Sequence, residues 1–116
     1  MKYVILIAGD PSKAPTDPAE GESWYKDISV WYEQWTAAGK VVDGGHQLDG
    51  PTTARTVRSS GVTDGPFVEA KEVIGGYSVL ETDTIDEAAE LAASWPGVSK
   101  GWITIEVRPI IEMPEM

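Results

Sequence analysis

Residues 2–8 (KYVILIA) constrain the fold most strongly, because this short segment is apolar in both of its alternating positions. A short, β-rich apolar run of this kind predicts a strand in the interior of a sheet. Successive side chains of a strand point to opposite faces. The two sets are Tyr3, Ile5 and Ile7 on one face, and Val4, Leu6 and Ala8 on the other. Both faces of the sheet therefore need an apolar cover.

Two segments have the spacing of amphipathic helices. In residues 23–40, the positions that share one stripe are Trp24, Ile28, Trp31, Trp35 and Ala38. This stripe predicts a helix that docks firmly on a sheet, with its tryptophans in the core rather than around a cofactor. In residues 84–96, Thr84 and Glu87 have the spacing of a capping box, and Pro96 ends the helical pattern.

The remaining segments alternate between strands and turns. Residues 9–22 contain three prolines and are expected to form a loop. Further strands are predicted at 41–48, 52–60, 75–83 and 102–110, with a turn at 61–66 and a short strand or extended loop at 67–73. The expected order is β-α-β-β-β-α-β in a single α+β domain over residues 1–116, in which residues 111–116 form a frayed tail.

The two helices of such a chain are expected to cover one face of an antiparallel sheet, the face that Ile103, Ile105 and Val107 share. The other face of the first strand then stays bare. In a chain of 116 residues, the simplest cover is a second copy of the same chain. The sequence therefore predicts a homodimer, and a monomer mass by light scattering at micromolar concentration would refute it.

Composition narrows the classes of function. The net charge of −10 and the scattered basic residues argue against binding to nucleic acid or to an anionic membrane. No cysteine and a single histidine make a metal site of the usual ligands improbable, so no metal is expected. No dinucleotide, P-loop or G-x-S-x-G pattern occurs, and no cofactor is expected. The sequence shows no apolar run of membrane-spanning length, no signal-peptide pattern and no cysteine. These features fit a cytoplasmic protein.

The segment VTDGPFVEAKEVIGGYSVLETDTIDEAAELAASWP, residues 62–96, resembles the DGPF subgroup of the YCII-related family. KYVILI, EQWTAAGKVVDGGHQL and IEVRPI also resemble members of that family, so the likeness covers nearly the whole chain. It implies a ferredoxin-like subunit that pairs into a dimeric α/β barrel. Most such members have no assigned reaction. Some relatives in the broader family are small cofactor-free lyases with a His and an Asp in a pocket. Genes of DGPF members often lie beside genes of alternative sigma factors, and this implies a regulatory setting.

Asp64 and His46 are the candidate catalytic residues. Asp64 belongs to the motif that resembles the family. In an Asp-Gly-Pro turn, the aspartate side chain either accepts hydrogen bonds from the nearby backbone or presents its carboxylate at a pocket. His46, which follows two glycines, is either a hydrogen-bonded structural residue or the proton-transferring group. A hydrogen-bonded His46–Asp64 pair within a concavity is the geometry expected of an enzyme.

Five further residues are candidate ligand-binding groups: Arg58, Glu69, Lys71, Tyr77 and Arg108. Glu69 and Lys71 alternate along an extended segment, either as a solvated edge or as a polar lining. Tyr77 belongs either to the core or to a cavity wall. The two arginines suit a ligand carboxylate, although Arg108 has Glu106 as an alternative partner.

Two functions follow from these residues. One is a cofactor-free enzyme that abstracts a proton from, or eliminates a group from, a small organic acid. The other is a non-catalytic ligand-binding or regulatory module, linked by the resemblance to an alternative sigma factor. A His46–Asp64 contact inside a concavity favours the enzyme, whereas two widely separated side chains in solvent favour the module.

Overall fold

The computed structural model describes residues 1–67 and 72–113. Its strands and helices, in chain order, are β1 Lys2–Gly9, α1 Pro18–Ala37, β2 Val41–Gln47, β3 Arg55–Arg58, β4 Gly61–Asp64, β5 Val73–Glu81, α2 Ile85–Ala93 and β6 Ile103–Pro109. Two 3₁₀ turns, Pro11–Lys13 and Pro51–Thr53, precede α1 and β3. None of the helices in the described ranges is long and apolar enough to cross a membrane.

Four strands form one antiparallel sheet in the order β2-β5-β1-β6. The two helices connect β1 to β2 and β5 to β6, which makes the sheet a ferredoxin-like α+β arrangement and confirms the predicted fold class. The strands β3 and β4 form a separate two-stranded hairpin between β2 and β5.

The helices cover one face of the sheet. On β1 this face carries Tyr3, Ile5 and Ile7, all of which are buried. Trp31 is the most deeply buried side chain of the predicted tryptophan stripe and joins the same core. The predicted orientation of Ile103, Ile105 and Val107 is also confirmed, because these partly buried side chains pack against that core. Local periodicity was sufficient here since each strand alternates regularly.

The opposite face of the sheet has apolar side chains on its two central strands, and neither helix covers them. Val4 lies opposite Val79, and Leu6 lies opposite Tyr77, in the β1–β5 register. These four side chains are only half-buried. We call the patch formed by Val4, Leu6, Ala8, Tyr77 and Val79 the open face. The prediction that the first strand is apolar on both sides of the sheet is therefore confirmed, and a cover for the open face stays a prediction.

The prediction for residues 9–22 was wrong in its second half. Helix α1 begins at Pro18, five residues before the predicted start at 23. The Asp17 side chain accepts a hydrogen bond from the Ala19 backbone, and proline is tolerated in the first helical turn because its missing N–H would have no partner there. The prolines of this segment therefore initiate a helix instead of excluding one.

The prediction for residues 52–66 was also wrong in detail. The expected long strand is shortened to β3, and the expected turn at 61–66 contains strand β4, which adds one strand to the predicted order. The actual reversal lies at Ser59–Ser60, followed by Gly61 with a φ of +134°. Val57 and Val62 lie opposite each other on this hairpin and are largely exposed.

The described part of the chain end, residues 110–113, has no regular secondary structure, and Ile111 and Met113 are exposed. The rest of the predicted tail lies outside the described residues.

Candidate functional site

A cavity of about 460 Å³ lies at one end of the sheet, beneath the N-terminal half of α1. Its walls come from the ends of β1 and β2, the starts of β5 and β6, and α1. The large apolar side chains of the wall include Trp24, Ile28, Tyr32, Trp95, Trp102 and Ile103. Volume and lining are those of a small-molecule site. The cavity exists because α1 lies over the sheet on bulky aromatic side chains.

Trp24 holds the outer end of the cavity in place. Its indole N–H donates to the carbonyl oxygen of Pro96 at 2.8 Å. Its ring lies edge-on to Trp102, with 5.2 Å between the ring centroids. Gly97, at a φ of +103°, passes so close to Trp24 that a Cβ there would lie 3.0 Å from the indole nitrogen. These contacts tie α1 to the segment after α2, so the aromatic wall has a defined position.

A chain of hydrogen bonds lies at the inner end of the cavity. The Trp95 indole N–H donates to Tyr32 Oη at 3.2 Å, Tyr32 Oη lies 2.7 Å from Ser78 Oγ, and Ser78 Oγ donates to the Gly44 carbonyl at 2.8 Å. Tyr32, Trp95 and Gly44 all line the cavity, whereas Ser78 is fully buried. The chain joins both helical segments to β5 and β2.

Gly45 shapes the wall that β2 contributes. Its φ is +66°, and a Cβ at this position would lie 1.7 Å from the carbonyl oxygen of Tyr77. No side chain is compatible with that approach. The glycines that interrupt the predicted strand therefore allow a bulge, and β2 shifts its register between Asp43 and His46.

His46 and Tyr77 are cross-strand partners, with 6.0 Å between their ring centroids. Tyr77 projects away from the helices, because its neighbour Ser78 points toward Tyr32 of α1. Both residues are among those that line the cavity. Because directly paired residues of neighbouring strands share a face of the sheet, the His46 ring lies beside Tyr77 on the side of the open face. His46 is exposed to solvent.

Asp64 lies on the hairpin and is not part of the cavity wall. Its carboxylate contacts Arg55 Nε at 3.1 Å and is 89% exposed. No hydrogen bond joins His46 to Asp64, both of which are described. A single subunit therefore does not assemble the expected pair, and the catalytic roles of the two residues stay predictions.

The predicted ligand-binding residues are dispersed. Arg58 lies on the hairpin, with its guanidinium carbon 5.4 Å from the centre of the Phe67 ring. Arg108 donates to Glu106 on the same strand, on the side of the sheet away from the helices. Glu69 and Lys71 lie outside the described residues. Of the three candidates that the structure describes, Tyr77 alone is among the residues of the cavity wall.

Sequence reasoning missed Tyr32, Ser78 and Trp102 as site residues. Tyr32 follows Trp31 of the recognised stripe, but its hydroxyl gains its partners from β5 and from the end of α2. A signal was present in the three tryptophans and three tyrosines that line the cavity. Their spacing predicted only a core, since periodicity does not show where a helix and a sheet separate.

The charges of the wall are acidic. Asp10 and Asp49 contribute to it, and within residues 1–67 and 72–113 no lysine or arginine does. In the same ranges, no group of three or more His, Cys, Asp or Glu residues has the arrangement of a metal site.

A comparison with known protein families shows to which family this chain belongs. The model of the YCII-related domain matches residues 1–114. The chain belongs to the YCII-related family. An uncharacterised protein of Rhizobium meliloti (strain 1021) is 31% identical over an alignment of 116 residues. The alignment covers 95% of this chain and 92% of that protein. The family was thus predicted correctly from the sequence, while the DGPF subgroup stays a resemblance.

A solved structure has a similar fold. It is 5-chloro-2-hydroxyhydroquinone dehydrochlorinase from Burkholderia phenoliruptrix in complex with 2,5-dihydroxybenzoquinone. The TM-score is 0.58 at 16% sequence identity, over 97% of this chain and 96% of that chain. At this identity the likeness shows a shared fold of the subunit.

Proposed function

We propose that this YCII-related protein binds a small, planar organic molecule in the aromatic cavity and transforms it by proton transfer, without a metal or an organic cofactor. The observation that carries the proposal is the cavity itself, with aromatic walls and a few polar groups at its inner end and rim. Flat aromatic walls favour a ring-sized ligand, because stacked and edge-on contacts add to the burial of apolar surface.

His46 is the group we assign to proton transfer. It is the sole histidine of the chain, and it lies in the segment that forms the cavity rim. Imidazole is the side chain best suited to exchange protons near neutral pH. The dehydrochlorinase that shares the fold supports this class of chemistry, since its named activity is an elimination on a ring.

The chain is also proposed to work as a homodimer. The open face exposes a continuous apolar patch on the two central strands, β1 and β5. An isologous contact would bury this patch on both copies. The His46 ring lies beside Tyr77 of this patch, so dimerisation would change the surroundings of the histidine.

A second function is supported by the position of Asp64. Its carboxylate pairs with Arg55 on the exposed hairpin, outside the cavity wall, so one subunit lacks the orienting partner expected for a catalytic histidine. A ligand-binding module, with the regulatory setting that the resemblance implies, uses the same cavity without turnover.

The two functions are separated by one set of measurements. Backbone amide shifts of the ¹⁵N-labelled protein are followed by NMR while small aromatic compounds are added, and product formation is followed by chromatography. Shifts at residues 24–32 and 44–50 support binding in the cavity, and their absence with every ring tested would refute the proposed function. Turnover that His46→Gln abolishes while the amide shifts persist supports the enzyme. Binding without turnover supports the module.

A further inference from the structure

Tyr32 is one of the residues that line the cavity, and its hydroxyl oxygen bonds to Trp95 and Ser78. We infer that the ligand is an uncharged, hydroxylated ring, a phenol or an enol, whose O–H donates to Tyr32 Oη. This inference rests on the proposed function and names the chemical class of its ligand. It follows from the direction of each hydrogen bond at the inner end of the cavity and from the charges of the wall.

The direction of the chain is determined by groups that have a single possible role. An indole N–H can only donate, so Tyr32 Oη accepts from Trp95. A carbonyl can only accept, so the one proton of Ser78 Oγ points to Gly44. Ser78 Oγ must then accept from Tyr32, whose own proton is thereby engaged. Tyr32 Oη keeps one lone pair that can accept a hydrogen bond, and it has no proton left to donate.

A ligand group that meets Tyr32 Oη must therefore bring its own proton. An ether or carbonyl oxygen in the same place would face an acceptor without a proton between them. Burying such a pair costs free energy because both oxygens lose their hydrogen bonds to water. A ligand hydroxyl instead completes the coordination of the tyrosine oxygen.

The charge of the wall selects against an anion. Asp49 lies in the wall, and the described ranges supply no lysine or arginine to it. The net charge of −10 adds to the repulsion. A carboxylate ligand, which the sequence had suggested, would be desolvated beside like charges, whereas a neutral hydroxylated ring would not.

The experiment uses a matched pair of probes, resorcinol and 1,3-dimethoxybenzene, with benzoate as the anionic probe. Dissociation constants are obtained from amide shifts of the ¹⁵N-labelled full chain. In the wild type we expect resorcinol to bind roughly three- to tenfold more tightly than its dimethyl ether, the range of one net hydrogen bond, and benzoate to bind more weakly than resorcinol.

Two variants distinguish the hydrogen bond to the Tyr32 hydroxyl from a steric effect of the methyl groups on the ether probe. Tyr32→Phe should remove the preference for resorcinol. Ser78→Ala should reverse it in part, because the freed Tyr32 proton then becomes available to an ether oxygen. A gain of affinity for the ether is a result that loosening of the fold does not produce. Tyr3→Phe is the control, since Tyr3 is a buried tyrosine of the core outside the cavity wall; it should keep the wild-type preference.

The outcomes distinguish the two proposals. Rings that bind with no preference for the hydroxyl, or with a preference that survives Tyr32→Phe, overturn the inference and leave the proposed function standing. Benzoate binding more tightly than resorcinol also overturns it. If no ring shifts the cavity residues, the inference and the proposed function both fail.

Discussion

At Gly45 the backbone carries a constraint that no other residue type can meet. Its φ is +66°, and the position of a Cβ is already occupied by the Tyr77 carbonyl. The neighbouring Gly44 has open space at its Cβ position and no positive φ, although both glycines lie in the same strand and the same cavity wall. One of the two glycines is therefore required by the fold, and the other is not.

Gly45→Ala should lower the free energy of unfolding by about 3 kcal/mol or more, because β2 must move away from β5 to admit the methyl group. Gly44→Ala is the matched control and should change stability by less than about 1 kcal/mol. Urea denaturation followed by tryptophan fluorescence measures both values. Equal effects of the two substitutions would show that the close approach at Gly45 is not a constraint.

The pair Lys40–Glu87 gives the stability a defined dependence on pH. Lys40 Nζ donates to Glu87 Oε1 at 2.7 Å. This hydrogen bond, with the attraction between the charges, raises the pKa of Lys40 above its ordinary value. The same hydrogen bond is the main cause that lowers the pKa of Glu87. The pair links the start of β2 to α2.

The sign of the effect follows for each group. Glu87 contributes stability above its unfolded-state pKa of about 4.3, and this contribution disappears as the pH falls through the lowered pKa of the folded state. Lys40 contributes below about 10.4 and loses its contribution as the pH rises through its raised pKa. In Glu87→Gln, unfolding free energies from urea titrations should vary less with pH in both windows. Glu90→Gln, on an exposed position of the same helix, should keep the wild-type profile. The effect is small because solvent screens the pair.

Helix α1 is the element that connects the core to the cavity. Trp31 is 5% exposed, and its indole N–H donates to Ser94 Oγ at 2.9 Å beyond the end of α2. Ile28, three residues before Trp31, and Trp35, four residues after it, are half-buried against the same core. The helix thus packs most tightly at its middle, and its N-terminal half spans the cavity.

Trp31→Ala should lower the unfolding free energy by about 3–5 kcal/mol. The causes are the lost burial of the indole, the cavity that it leaves behind and the loss of its hydrogen bond to Ser94. The adjacent Val30→Ala, at a position that is 53% exposed, should cost less than about 1 kcal/mol. Thermal and urea unfolding followed by circular dichroism measure the difference. Comparable losses for both variants would contradict the packing described for α1.

The hairpin of β3 and β4 shows where local patterns were insufficient. Among the residues that the structure describes, strands β3 and β4 pair only with each other, so no periodicity toward a buried sheet face marks them. Asp-Gly-Pro suggested a turn at 64–66, yet Asp64 ends a strand and Gly65 bonds back through its N–H to Ala54. In contrast, the cap at Thr84 was predictable, since its hydroxyl accepts from the Glu87 N–H within one helical turn.

The whole molecule is a flat, two-layered body. Its extents are 51 × 44 × 19 Å, and its radius of gyration is 15.8 Å, compared with about 13 Å for a compact chain of this length. One layer is the sheet and the other the helices, so the open face lies on the outside of the subunit. Exposed apolar residues of the hairpin, Val57 and Val62, add to the uncovered surface.

Light scattering at micromolar concentration should give twice the chain mass of 12.5 kDa if the open faces meet in a homodimer. Leu6→Lys, which places a charge at the centre of the open face, should give the monomer mass with an unchanged circular dichroism spectrum. Val30→Lys, an exposed position on the outer side of α1, should remain dimeric. A wild-type monomer, or a dimeric Leu6→Lys variant, would contradict this mode of association.

Neighbouring residues alone were enough to predict the two faces of β1, the tryptophan stripe of α1, the cap of α2 and the family, because strand alternation, helical spacing and capping each act over a few residues. Long-range contacts were needed for the cavity, for the Trp95–Tyr32–Ser78–Gly44 chain and for the separation of His46 from Asp64. These features join residues that are 34 to 63 positions apart, or depend on a hairpin that pairs with itself. Only the packing of α1 over the end of the sheet determines which side chains share one space, and so which chemistry is available there.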